Sequence, residues 1–161
     1  MTQRMQSIMI MNGALVFLVG LLSGFPYAYV IIEKIVLWPI PGEIDWRPPG
    51  DERAWRMAHL EGILNGLTLI AVAAAGSRLK ITPRAEAFIG WGLIITSWGN
   101  ITASVIGPIF GGRGLYFGDG FANSLVYLLF VLAIITVITA MIMVFRGALA
   151  DLRDQNNKDK S

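Results

Sequence analysis

The chain has no cysteine and only one histidine, His59, among its 161 residues. The first absence removes disulfides, c-type haem attachment, iron–sulfur clusters and thiolate ligation. The second rules out a multi-histidine metal cluster within one chain. A zinc site would have to be completed by carboxylates, and only Glu61 stands near His59 in sequence. Charge is scarce too: Asp, Glu, Lys and Arg together make up 15% of the residues. None occurs between Arg4 and Glu33, Glu61 and Arg78, Glu86 and Arg113, or Asp119 and Arg146.

A helix needs about 20 apolar residues to cross a bilayer core. Three of these intervals are long enough, and the second suffices if its helix starts near Met57 and carries His59 and Glu61. Hydrophobic residues make up 55% of the chain, and the mean hydropathy is +0.60. The expectation is an all-α, four-transmembrane-helix bundle forming one domain, with spans near 7–32, 56–78, 85–106 and 121–147 and a polar, frayed tail over 152–161. The first apolar run is too long for the core of a cleavable signal. The net charge of +2 comes from residues on connections and tail, so no nucleic-acid stripe is formed.

Within the first span, Gly20 and Gly24 form a small-xxx-small face for close packing, and Phe25-Pro26 is placed to kink the helix. The following loop is stiffened by Pro39, Pro41, Pro48 and Pro49 and carries Trp38 and Trp46. It reads either as an interfacial anchor or as a lid over a site on that side. Pro83 is placed to open the third helix, and Gly107-Pro108 to stop it. The fourth span is a nearly featureless Leu/Ile/Val/Ala helix. Arg4, the turn from Arg78 to Arg84 and the tail hold most of the 13 basic residues. By the positive-inside rule both termini then face the cytoplasm, in a cell's inner membrane, although the first loop weakens the bias.

Polar groups at membrane depth are costly and point to function. On the second helix Gly62 and Gly66 share a face with His59, which leaves room beneath the imidazole for a flat ligand or another backbone. Glu61, Asn65 and Thr68 form a separate stripe. Ser97, Asn100 and Ser104 form a third on the next helix, beside Thr96. The two stripes read either as interhelical glue or as pocket groups. His59 alone reads as an interfacial histidine bonded to a carbonyl or carboxylate, or as a metal ligand. A haem needs one protein ligand, and a lone proximal histidine leaves the sixth position open, whereas an electron carrier would need a second strong ligand. Haem propionates want cations. Arg53, Arg56 and Arg113 are candidates, with Arg113 flanked by glycines that allow close approach; it also reads as a simple boundary residue.

Three blocks then carry a resemblance: Trp55-Arg56-Met57-Ala58-His59 with Asn65-Gly66; Trp98-Gly99-Asn100; and Arg113-Gly114-Leu115-Tyr116-Phe117-Gly118. In that order, over most of residues 54–120, they resemble the bacterial styrene oxide isomerases. The resemblance implies a trimeric membrane enzyme with ferric haem b at subunit interfaces, ligated by His59. It also implies a Lewis-acid opening of an apolar epoxide with a 1,2-hydride shift to a carbonyl, a Meinwald rearrangement. Asn65 matches a substrate-orienting asparagine. The cofactor would be met by His59, Gly62, Gly66, Arg56 and Arg113, and the substrate by Asn65, Asn100 and Glu61, inside a lipid bilayer. Two positions depart from the pattern. The family's acidic residue falls at Thr96, and its pocket tyrosine falls at Ser104 up to a one-residue shift. Glu61 is an added carboxylate, so the substrate need not be styrene oxide. A haem protein that senses ligands or passes electrons, and a small transporter without cofactor, are the competing expectations.

Overall fold

The computed structural model describes residues 1–159. Its helices are α1 (Gln3–Leu22), α2 (Gly24–Ile32), α3 (Glu52–Ala75), α4 (Pro83–Phe110) and α5 (Phe121–Lys158). With α1 and α2 counted as one crossing and the 3-10 turn Gly76–Arg78 added to α3, four segments are long and apolar enough to cross a membrane. The all-α membrane bundle expected from the charge-free intervals is the fold found.

The ends of the helices follow from local chemistry. At α3, the Asp51 carboxylate accepts from the Ala54 N–H at 2.7 Å, and Glu52 sits in the first turn, where the helix dipole favours an anion. At α4, Thr82 caps Ala85 at 3.3 Å and Pro83 occupies the opening turn. The first span is interrupted at Ser23, three residues before the proline. Pro26 has no N–H for the Leu22 carbonyl, so the ladder breaks upstream of the ring rather than at it. Pro108, by contrast, does not stop α4. The helix runs on to Phe110 and ends at Gly111, whose φ of +81° is the left-handed cap that suits glycine. Residues 152–158, expected to fray, continue α5; the last two residues lie outside the described ones.

The proline-rich loop contains a short antiparallel hairpin that the sequence reading did not foresee, β1 (Lys34–Val36) on β2 (Glu43–Asp45). Trp46 packs edge-on to Tyr29 of α2, which ties the hairpin to the end of the first span. The chain then crosses the end of α4, where Gly50 lies against Pro108, and Trp55 donates to the Pro49 carbonyl at 2.7 Å.

In the bundle, α3 packs on α1 and α4, while α5 packs chiefly on α4. Two apolar clusters result. One, around Met9, Leu69, Ile89, Leu93 and Ala140, lies toward the end that holds both termini. The smaller one, Val30, Trp55 and Ala58, lies toward the hairpin end. Between them α1 and α3 touch backbone to backbone. A Cβ at Gly62 would meet Gly20 N at 2.6 Å, and one at Gly66 would meet Gly13 O at 2.7 Å. The glycines seen on these two spans are thus one device for close helix approach.

Candidate functional site

That approach answers one question about His59. The bare face below the imidazole is covered by the backbone of α1, not left open to a flat ligand. Gly62 and Gly66 are buried packing positions, and their expected contact with a cofactor is not what they make. The imidazole itself sits at the edge of this seam, half-buried. Its Nδ1 is 2.8 Å from the Gly20 carbonyl, and Gly24 leaves space for the ring, since a Cβ there would come within 3.1 Å of Nδ1. A carbonyl only accepts, so Nδ1 carries the proton and Nε2 of the neutral ring carries a lone pair. Nε2 has no partner among the described residues. Tyr27, which drew no attention in sequence, stacks on the ring with centroids 6.3 Å apart. Arg56 is exposed, one turn from His59 at i−3, and forms no ion pair among the described residues.

The polar stripes face another way. Asn65 donates both of its N–H groups to Glu61, to the backbone carbonyl at 2.8 Å and to Oε2 at 2.7 Å. Its Oδ1 accepts from Asn100 at 3.3 Å. Glu61, Asn65 and Asn100 therefore form one chain between α3 and α4, the interhelical glue that sequence allowed. Asn65 has no donor left for a ligand. The groups still free are Glu61 Oε1 and, on Asn100, Oδ1 and one N–H. Ser97 back-bonds to Leu93 at 2.8 Å, and Thr68 to Leu64 at 2.8 Å.

Thr96, where the family's acidic residue falls, is buried and bonds Thr136 at 2.7 Å, which ties α4 to α5. Toward the hairpin end a cleft of about 150 Å³ lies between α3, α4, α5 and the loop after α4. Its walls include Met57, Ala103, Ser104, Val126 and Phe130. Asp51, Arg53 and Arg113 line it too, and the first and last are loosely paired at 3.8 Å, with both side chains exposed.

The loop that carries Arg113 is held by a residue that sequence reading passed over. Asn123 is buried at the start of α5. Its Oδ1 accepts from the Arg113 and Gly114 N–H groups at 3.0 and 2.8 Å, and its Nδ2 donates to the Tyr116 and Gly118 carbonyls at 3.0 and 2.9 Å. The span that seemed featureless thus opens on the pin of the glycine loop. Asn12 is a second omission: its Oδ1 accepts from Trp98 Nε1 at 3.0 Å and joins α1 to α4.

The styrene oxide isomerase family profile matches residues 5–149. The chain belongs to that family. The match takes in all four spans, beyond the stretch over which the three blocks were seen. A comparison with curated proteins finds no match. Membership in the styrene oxide isomerase family brings isomerase activity at the level of the family. The geometry adds that His59 and the Glu61–Asn65–Asn100 chain are not brought together within the chain. One faces α1 and α2; the other faces α4.

Proposed function

We propose that this protein is a membrane haem b isomerase that opens an apolar epoxide and shifts a hydride to give a carbonyl. The observation that carries the reading is the hydrogen bond from His59 Nδ1 to the Gly20 carbonyl. It fixes the tautomer and aims a free Nε2 away from the seam, as a backbone acceptor does behind metal-ligating histidines. The residues fit a haem: one oriented imidazole, a neighbouring arginine at Arg56 for a propionate, and Tyr27 flanking the ring. Arg113 is the second candidate for a propionate. A ferric haem in this position supplies a Lewis-acidic iron for opening an epoxide, with no net redox change.

The chain's own groups supply binding and orientation. Asn65 holds Glu61 and Asn100 in place, and Asn100 offers a donor and an acceptor to the substrate. Glu61 Oε1 can hold a proton close to the reacting carbons. Because His59 lies on one flank of α3 and Asn100 lies across the other, the two sets meet between protomers, with the histidine of one copy set against the polar chain of the next. A trimer of this kind fits the half-exposed imidazole. Both termini, the α3–α4 turn and the basic residues around them lie at one end, since the Met1 amino group donates to Gly76 at 3.0 Å and Lys80 pairs with Asp154. That end is assigned to the cytoplasm of an inner membrane.

The purified protein should show a ferric five-coordinate Soret spectrum that shifts on addition of an epoxide. His59→Ala should lose both haem and turnover. A low-spin six-coordinate resting spectrum would favour electron transfer, and the lack of any Soret band after haem reconstitution would sink the cofactor reading. A panel of epoxides analysed for aldehyde or ketone product names the substrate.

A further inference from the structure

We infer that the tip of the hairpin, residues 37–41, is a lipid-binding anchor, with Trp38 and Ile40 inserted into the bilayer leaflet at that end of the bundle. The tip joins β1 to β2 through Leu37-Trp38-Pro39-Ile40-Pro41-Gly42, without one charged or amide side chain. A hairpin turn in water is usually built on Asn, Asp or Gly, whose polar groups or bare backbone are well solvated. Here glycine comes only at the exit, where Gly42 has a φ of +139°. Pro39 and Pro41 stiffen the backbone, and the Ile40 N–H closes on the Leu37 carbonyl at 2.8 Å. The apolar side chains are displayed rather than folded in: Trp38 is 85% exposed and Ile40 68%.

The strands behind the tip are sorted by face. The register sets Ile35 opposite Ile44 on one side of the ribbon, and Lys34, Val36, Glu43 and Asp45 on the other. Trp46, two residues past Ile44, continues the apolar side and packs edge-on to Tyr29 of α2. Only Glu33 separates α2 from β1, and its φ of +57° turns the chain off the helix axis at once. The ribbon therefore starts where the first span leaves the membrane. The exposed apolar surface of that span, at Ile31 and Ile32, is taken up again by Ile44 and the tip. Lipid already covers the span, so lipid is the occupant that continues an existing interface.

Charge is placed to suit that depth. Lys34 pairs with Glu43 at 2.6 Å and Arg47 with Glu33 at 3.1 Å, all four at the base of the ribbon, while the tip has none. Paired charges tolerate the headgroup layer, and tryptophan is the side chain that settles there. The anchor also sets the height of α3. Trp46 holds the ribbon to α2, and the Trp55 indole donates to the Pro49 carbonyl at 2.7 Å, just past the ribbon's end.

The chain has no cysteine, so a single one can be introduced and spin-labelled at a chosen place. Trp38→Cys and Ile40→Cys report on the tip, Ile135→Cys on the exposed middle of α5, and Asn156→Cys on water beyond the spans. The labelled full chain is placed in phosphatidylcholine nanodiscs. Paramagnetic resonance then reads collision rates with oxygen, which prefers lipid, and with a nickel chelate, which stays in water. Both tip labels should give an oxygen-to-nickel ratio several-fold above that of Asn156→Cys and below that of Ile135→Cys. That corresponds to a depth of about 5–10 Å beneath the headgroups. A tip ratio equal to that of Asn156→Cys puts the tip in water and overturns the proposal. Low rates with both reagents, as beneath a second copy or another protein, overturn it too. Ile40→Glu added to Trp38→Cys should lift the tip and raise nickel collisions several-fold at an unchanged unfolding temperature; an unchanged ratio again overturns the proposal. If Trp38→Cys fails to fold, Ile40→Cys carries the first test, with Trp38→Glu as its lifting partner. None of these readings uses turnover, so the anchor and the isomerase reading fail separately.

Discussion

At the end of the bundle that holds both termini, Thr2 binds Glu86, Lys80 pairs with Asp154, and Met9, Leu69, Ile89 and Leu93 close the space between helices. At the hairpin end the apolar cluster shrinks to Val30, Trp55 and Ala58, while α4 carries an interior proline and an unpaired serine beside a cleft. The same four spans are thus packed shut over one half and left partly unsatisfied over the other. A buried polar group without a partner is tolerated only where something else gains by it, and the one such side-chain atom among the described residues, Ser104 Oγ, lies in the open half with the histidine.

The glycine seam joins the two halves and is where the comparison breaks most readily. Gly62→Val puts a branched side chain where even a Cβ meets Gly20 N at 2.6 Å and Ile101 at 3.1 Å. Backbone cannot step aside as a flexible side chain can, so the expected loss is about 3 kcal/mol or more, read as unfolding temperature in detergent. A Gly62→Val protein that folds normally and fails only to hold haem would mean that the glycine is a cofactor contact after all.

A second test acts on the open half alone. Asn123→Ala removes four hydrogen bonds that tie the Arg113–Gly118 loop to α5. Part of that loss is recovered by water at this exposed end, which leaves about 2 kcal/mol. The loop should become susceptible to limited proteolysis while the terminus-end core keeps its hydrogen-exchange protection. Uniform loss of protection would show that the two halves do not unfold separately.

These contrasts mark what was legible in sequence. The four spans and the buried glycine faces were readable because charge-free length and residue size act locally. The Glu61–Asn65–Asn100 chain was half readable: membrane depth demands partners for these residues, but pairing along a stripe cannot say that Asn65 spends its donors on Glu61. Asn123 and Asn12 were missed because each is a single amide within the apolar span of its helix, and its partners lie on segments distant in sequence or in an irregular loop. The hairpin was hidden by its prolines, which sit at its turn and beyond β2 rather than in its strands. Ser104 looked like one more small polar residue. Only packing shows that it is unpaired.

A smaller effect sharpens the role of the polar chain. Glu61→Ala frees Asn65 and should lower kcat by on the order of tenfold, with haem content unchanged. Glu61→Gln keeps an oxygen that accepts from Asn65 Nδ2, so it should restore most of the activity if Glu61 acts by positioning Asn65. Equal loss in both variants would instead make the carboxylate a proton carrier.

The least effect is expected at the closed end. Lys80 lies outside the spans, and its hydrogen bond to Asp154 raises its pKa above the ordinary lysine value. A lysine whose pKa is raised by folding adds stability that is complete below its unfolded value of about 10.4 and is lost as pH climbs through the folded one. Lys80→Met should therefore leave the unfolding temperature at neutral pH within the scatter of ordinary surface substitutions, because exposed ion pairs contribute little. The wild-type advantage should vanish only in alkaline solution. A large loss at neutral pH would show that this end is held by its ion pairs and not by the packing around Met9 and Leu69, and the contrast between the two halves would have to be redrawn.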